Sequence, residues 1–159
     1  MNIDQIMSAE VKTCRPSDTL YQAAQLMWDH DIGAVPVVND EGEPIAMLTD
    51  RDICMACYTQ GKAPGEIAVS SAMSQKIVSC FSDESVAAAE ALMRTQQIRR
   101  LPIVSRKKQL VGVLSLNDIA MHAHTKKSGM HRDELGPDAI ARTLSAICAR
   151  PAMMAAAEE

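Results

Sequence analysis

Residues 31–53 read DIGAVPVVNDEGEPIAMLTDRDI, and residues 97–119 read QIRRLPIVSRKKQLVGVLSLNDI. The second stretch is the first displaced by 66 positions without a gap. Isoleucine meets isoleucine and proline meets proline, and each stretch closes on a hydroxyl residue followed three places on by aspartate. Working outward, the same displacement puts Met7-Ser8 on Met73-Ser74 and Cys14 on Cys80. It also puts SDTLYQAAQLM from Ser17 on DESVAAAEALM from Asp83. Two gap-free copies of about 50 residues are an internal repeat, so each is one supersecondary unit that needs the other to bury its open face.

Each copy predicts the same series of elements. A short β run comes first, Val11–Cys14 and then Ile77–Cys80. A helix follows, opened by Asp18-Thr19 or Glu84-Ser85, an acid and a hydroxyl suited to a helix N-terminus. Leu20, Ala23, Ala24 and Met27 share one helical face, as do Val86, Ala89 and Met93. A β run from Ala34 to Val38, or Arg100 to Val104, comes next. Pro36 and Pro102 lie inside these runs and must face an edge or interrupt the pairing. The turn Asn39-Asp40-Glu41-Gly42 gives a hairpin into Ile45–Leu48, and Ser105–Gln109 is a matching basic turn without glycine. A second helix closes each copy after Thr49 or Ser115. The expected fold class is α/β (α+β in layout): tandem repeats with pseudo-two-fold symmetry, each a small three-stranded sheet with two helices, plus a C-terminal helix. Repeat 1 is placed at residues 1–66, repeat 2 at 67–122, a polar linker at 123–136, the C-terminal helix at 137–150 and a tail at 151–159.

Composition narrows the function classes. Aromatic residues are 3% of the 159, so the core is aliphatic, and the aromatic platforms that bind single-stranded nucleic acid are missing. Net charge is −4, which gives no global footprint for nucleic acid. The charge is uneven: residues 1–66 hold eleven acids and four bases, residues 67–122 four acids and seven bases. That excess of bases attracts an anion, or the two signs are simply solvated faces. No apolar run approaches the length of a membrane span, and the N-terminus carries no signal-like core. Five cysteines without an export signal place the chain in a reducing compartment, the cytoplasm. No phosphate-binding P-loop, H-E-x-x-H or G-x-S-x-G motif is present, so no catalytic residue is assigned and the chain is not read as an enzyme.

The chemistry-bearing motif is Thr49-Asp50-Arg51-Asp52 with its copy Ser115-Leu116-Asn117-Asp118. Hydroxyl-x-x-Asp at a strand-to-helix junction is a capping box. The same geometry also serves an anionic ligand, because a helix N-terminus offers free N–H groups and positive potential. An aspartate there can accept from a ribose diol, and the hydroxyl can reach a sugar or phosphate oxygen.

The paired copies, each with an IGAVP- or IRRLP-type turn and a closing LTDRDI or LSLNDI, resemble the CBS domain pair over roughly residues 1–122. The whole chain is similar to stand-alone bacterial CBS proteins of the hypoxic-response type. The resemblance implies a compact homodimerising module that binds an adenosine nucleotide (AMP, ADP or ATP) as regulatory ligand and signals to an effector protein, with no required cofactor. It implies that Asp52 and Asp118 hold ribose hydroxyls, and that Thr49 and Ser115 contact sugar or phosphate oxygens. The backbone near Thr13 and Ser79, and near Ala34-Val35 and Arg100-Leu101, would read the adenine edge, with Pro36 and Pro102 shaping that wall. Arg51, Arg99 and Arg100 are the candidate phosphate partners. Gly33 matches the small turn residue of the family, whereas Arg99 replaces it in copy two, so the two clefts are not equivalent.

Two other readings stand beside this one: a ligand-free structural or protein-interaction module, and a thiol- or metal-responsive sensor. The thiol reading rests on Cys54-x-x-Cys57, which falls within a helix where cysteine serves as a small buried hydrophobe. The metal reading rests on His122, His124 and His131, and no metal ligand set is assigned. Beyond the repeats, Pro137 suits a helix start, and Ile140, Leu144, Ile147 and Cys148 share one face. Such a helix is marginal alone and is expected to dock on the repeats, in cis or across a dimer.

Overall fold

The computed structural model of the protein describes residues 1–125 and 137–148. After a 3-10 turn at Ile3–Gln5, copy one supplies α1 (Leu20–Asp29), β1 (Ala34–Val38), β2 (Pro44–Thr49) and α2 (Asp50–Gln60). Copy two supplies β3 (Cys80–Phe81), α3 (Val86–Gln96), β4 (Arg100–Val104), β5 (Leu110–Ser115) and α4 (Leu116–Thr125), and α5 (Pro137–Cys148) follows. Thr19 and Ser85 cap α1 and α3, accepting from the N–H of Gln22 and Ala88. The predicted apolar faces are buried: Leu20, Ala23 and Met27 in α1, and Val86, Ala89 and Met93 in α3. Both hairpins are antiparallel, with Val35 opposite Leu48 and Leu101 opposite Leu114.

The sheets depart from three full strands each. The first is β1–β2 alone, joined to the preceding chain by a single bridge between Cys14 and Val37; the second orders as β3–β4–β5. Proline is the reason twice over. The Cys14 N–H donates to the Pro36 carbonyl at 3.1 Å, and the Val38 N–H donates to the Cys14 carbonyl at 2.9 Å. The next rung backward would need the N–H that Pro36 lacks, so Val11–Thr13 stay outside the sheet, and Pro102 stops Ile77–Ser79 in the same way. The next rung forward exists in copy two, where the Ser82 N–H donates to the Val104 carbonyl at 3.1 Å. Its counterpart in copy one is Pro16, which has no donor, so that ladder ends at one bridge.

Two aliphatic cores result, and each is completed by the chain leading into the other copy. Ile3, fully buried, belongs to the core of Cys80, Met93, Leu101 and Ile119. Its counterpart Val69, with Ile67, belongs to the core of Leu20, Val35 and Leu48. The hydrogen bonds mirror one another: the Ile3 N–H donates to the Glu84 carbonyl, and the Val69 N–H to the Asp18 carbonyl. Ser8 exchanges two 3.0 Å bonds with Val113, while the Ser74 N–H donates to the carbonyl of Met47, the counterpart of Val113. Gly112 admits this crossing: a Cβ there would sit 2.4 Å from the Met7 sulfur.

α5 docks in cis on copy two. The Arg94 guanidinium donates to the Thr143 hydroxyl at 2.9 Å, and the Gln97 amide donates to the Ala146 carbonyl at 3.3 Å. Its face is turned from the expected one. Thr143 is fully buried and Ile140 and Ile147 pack on the core, whereas Leu144 and Cys148 are exposed.

Candidate functional site

The boxes at the two strand-to-helix junctions close identically. Asp52 Oδ2 accepts from the Thr49 N–H at 2.9 Å and from its hydroxyl at 2.6 Å, while Thr49 Oγ1 accepts from the Asp52 N–H at 3.2 Å. Asp118 Oδ2 accepts from the Ser115 N–H at 2.7 Å and its hydroxyl at 2.6 Å, and Ser115 Oγ accepts from the Asp118 N–H at 3.2 Å. These are capping boxes, with Asp shortening the usual Glu. Each hydroxyl hydrogen is given to its own aspartate. Thr49 or Ser115 would have to surrender that bond before donating to a ligand, whereas Oδ1 of each aspartate takes no part in the box.

The surroundings of the two boxes differ. A cavity of about 660 Å³ opens where the copies meet, and Ser115 and Asp118 line it together with Arg99, Arg100, Ala34 and Pro36. Thus copy one contributes its turn, and copy two its box and arginines. The first turn of α4 (Leu116, Asn117 and Asp118) faces this space, adding the positive end of a helix to two guanidinium groups. Gly33 lies on the floor, where an added Cβ would be 3.2 Å from Asp50 Oδ2 and 3.6 Å from Arg100 Nη2. Arg99 replaces that glycine in copy two, and it lines the cleft. Glu10, Lys12, Asp31 and Asp50 also line the cleft, and sequence reasoning did not assign them. They sit one to three residues from assigned positions; Glu10 and Lys12 come from the segment leading into copy one, and Asp31 and Asp50 from the turn after α1 and the start of α2.

Other assigned residues lie elsewhere. Thr49, Arg51, Asp52, Thr13, Ser79, Val35, Leu101 and Pro102 are absent from the lining of this cavity. Val35 and Leu101 are fully buried in the two cores. A second cavity of about 360 Å³ lies between α1 and α2, lined by Met27, Trp28, Asp50 and Ile53 but not by Asp52.

The thiols separate by burial. Cys14 and Cys80 lie in different cores, each pushed up to about 12 by burial first and then by the carboxylate of Asp18 or Glu84. Neither is a thiolate at neutral pH. Cys54 is exposed rather than buried as expected, while Cys57 packs partly against the first core. α2 carries the pair as a solvent-facing and a core-facing residue, three positions apart. Among the described residues no group of three or more His, Cys, Asp or Glu side chains is placed to hold a metal ion. His122 is half-buried, and the side chain of His124 and all of His131 lie outside the described residues. No helix among the described residues is long and apolar enough to cross a membrane.

The chain is 40% identical over 127 residues to the CBS domain-containing protein YhcV of Bacillus subtilis, covering 80% of this chain and 89% of that one. Among solved structures it is similar to Hypoxic Response Protein I with two coordinated zinc ions, at 34% identity and a TM-score of 0.70, covering 77% of this chain and 98% of that one. The fold is also that of the CBS domain pair of protein MJ0100 in complex with 5′-methylthioadenosine and S-adenosyl-L-methionine, at 24% identity and a TM-score of 0.69, covering 80% and 98%. The CBS domain model matches residues 3–58 and 69–124, so that each match opens on Ile3 or Val69, the residues that seat in the opposite core. The chain belongs to the CBS domain family and carries the domain twice.

Proposed function

We propose that the chain is a non-enzymatic regulatory module of the cytoplasm that binds one adenosine nucleotide, AMP, ADP or ATP, in the cleft holding Asp118. The observation that carries this reading is the convergence, in one inter-repeat cavity, of the α4 N-terminus, Asp118, Arg99 and Arg100. An acceptor carboxylate suits a sugar diol, and a helix N-terminus with two guanidinium groups suits a phosphate. The adenosine ligands of the MJ0100 domain pair support the class of ligand. Binding resets the angle between the copies, and a second copy of the chain or an effector protein reads the change. A ligand shifts that equilibrium only by its differential affinity for the two arrangements.

Calorimetric titration of AMP, ADP and ATP tests this. One site per chain is expected. Arg99→Ala, which leaves the capping box intact, and Asp118→Asn should each weaken binding about ten- to hundred-fold. Asp52→Asn should bind as wild type. Folded protein that takes up none of the three would reduce both hydroxyl-x-x-Asp motifs to helix caps and leave an interaction module.

The zinc ions of Hypoxic Response Protein I favour the metal-responsive reading as a second one. Zinc added to the metal-free chain, followed by mass spectrometry under native conditions, separates it from the first.

A further inference from the structure

We propose that α5 is the base-side wall of the nucleotide cleft, with Ile140 and Leu144 packing against the flat apolar face of the bound heterocycle. The inference rests on the nucleotide reading and adds a site from outside the two matched domains, which end at residue 124. α5 has two working faces. Thr143 and Ile147 turn toward α3, where Thr143 is fully buried and receives the Arg94 guanidinium. Ile140 and Leu144, one helical turn apart, both line the cavity that holds Asp118, Arg99 and Arg100.

The cavity is therefore sorted by polarity. Arg99, Arg100, Lys12, the carboxylates of Asp118, Glu10, Asp31 and Asp50, and a helix N-terminus supply its polar lining, and α5 supplies an aliphatic stripe. No aromatic side chain lines it, so a heterocycle there has aliphatic carbon or a guanidinium plane to rest on. Leu144 is 46% exposed, an apolar surface beside a polar cleft that a ligand would take out of water. Copy one has no such wall among the described residues. The positions that α5 touches in copy two, Glu90, Arg94 and Gln97, correspond to Ala24, Trp28 and Asp31, and Trp28 there is 87% exposed. The wall makes the two clefts unequal and ties occupancy of one of them to the docking of α5.

The experiment compares wild type, Leu144→Asp and Leu144→Met by calorimetry with whichever of AMP, ADP and ATP the wild type binds most tightly. Hydrogen exchange of the α5 amides is followed with and without that nucleotide. Leu144→Asp should weaken binding about ten-fold, since the exposed part of the leucine is no longer there for the ligand to cover and a carboxylate takes its place. Leu144→Met should bind as wild type, and the melting temperature of unliganded Leu144→Asp should fall by no more than a few degrees, because nearly half of the side chain is exposed and it takes no part in the fully buried core. Saturating nucleotide should slow exchange in α5. Wild-type affinity in Leu144→Asp, with exchange in α5 unchanged by ligand, overturns the wall while a loss of binding in Asp118→Asn leaves the nucleotide site standing. Absence of binding by the wild type overturns both.

Discussion

Position 108 shows how one residue records the repeat. Its counterpart, Gly42, turns the first hairpin at a φ of 78°, and Lys108 makes the same turn at 62°. A lysine in the left-handed region is strained, so the basic turn keeps its conformation because the strands on either side impose it. Position pairs also exchange chemistry. Arg15 and Asp40 form an ion pair in copy one; at the counterparts, the Arg106 guanidinium lies 4.3 Å over the Phe81 ring. Cys14 and Cys80 are kept, each buried and raised from an ordinary 9.0 to about 12. The sign follows from linkage. Below pH 9 both thiols are protonated folded or unfolded and add no pH dependence. Between 9 and 12 the unfolded chain releases protons that the folded chain holds, so stability falls as pH rises. Each thiol contributes a slope of up to about 1.4 kcal/mol per pH unit in that window. Denaturant midpoints measured from pH 8 to 11 should show this fall, shallower in Cys80→Ala; an equal slope in the variant would assign it to other groups.

At the scale of elements, the helices and hairpins were legible because their signals are local: caps at Thr19 and Ser85, and period-matched faces in α1 and α3. The first strand of each copy was not, because its extent depends on donors in a different strand. A β-prone run such as Val11–Cys14 says nothing of the missing N–H at Pro36. Ser82→Pro should convert the second sheet toward the first by removing the rung to Val104, at a cost of about 1 kcal/mol or more. Thermal denaturation reads that loss, and an unchanged midpoint would show that the rung contributes nothing. The site was legible in part for the same reason. Among the candidate residues, Asp118 and Pro36 follow from the repeat and Arg99 from the resemblance, whereas Ile140 and Leu144 come from a helix that has no counterpart in it. The direction of that helix is set by Thr143, a polar residue the periodic apolar pattern passes over.

The whole molecule is held by its crossed leading segments. Truncating Ile3 removes a fully buried side chain from the core of the opposite copy, and Ile3→Ala should cost about 2–5 kcal/mol. Because Ser8 pairs with Val113 and Met7 covers Gly112, the loss should reach both copies. One cooperative transition at a lower denaturant midpoint is the expected outcome, and two separated transitions would show that the copies fold independently.

The crossing also sets a timetable at the ribosome. The residues that complete the first core, Ile67 and Val69, follow α2 directly, in a continuous run that has emerged once residue 73 is out. Ile3 has no seat until β5 and α4 are made, some 110 positions later. Vectorial synthesis thus favours copy one as the earlier folding unit, with Ile3 kept waiting as an exposed hydrophobe in the nascent chain.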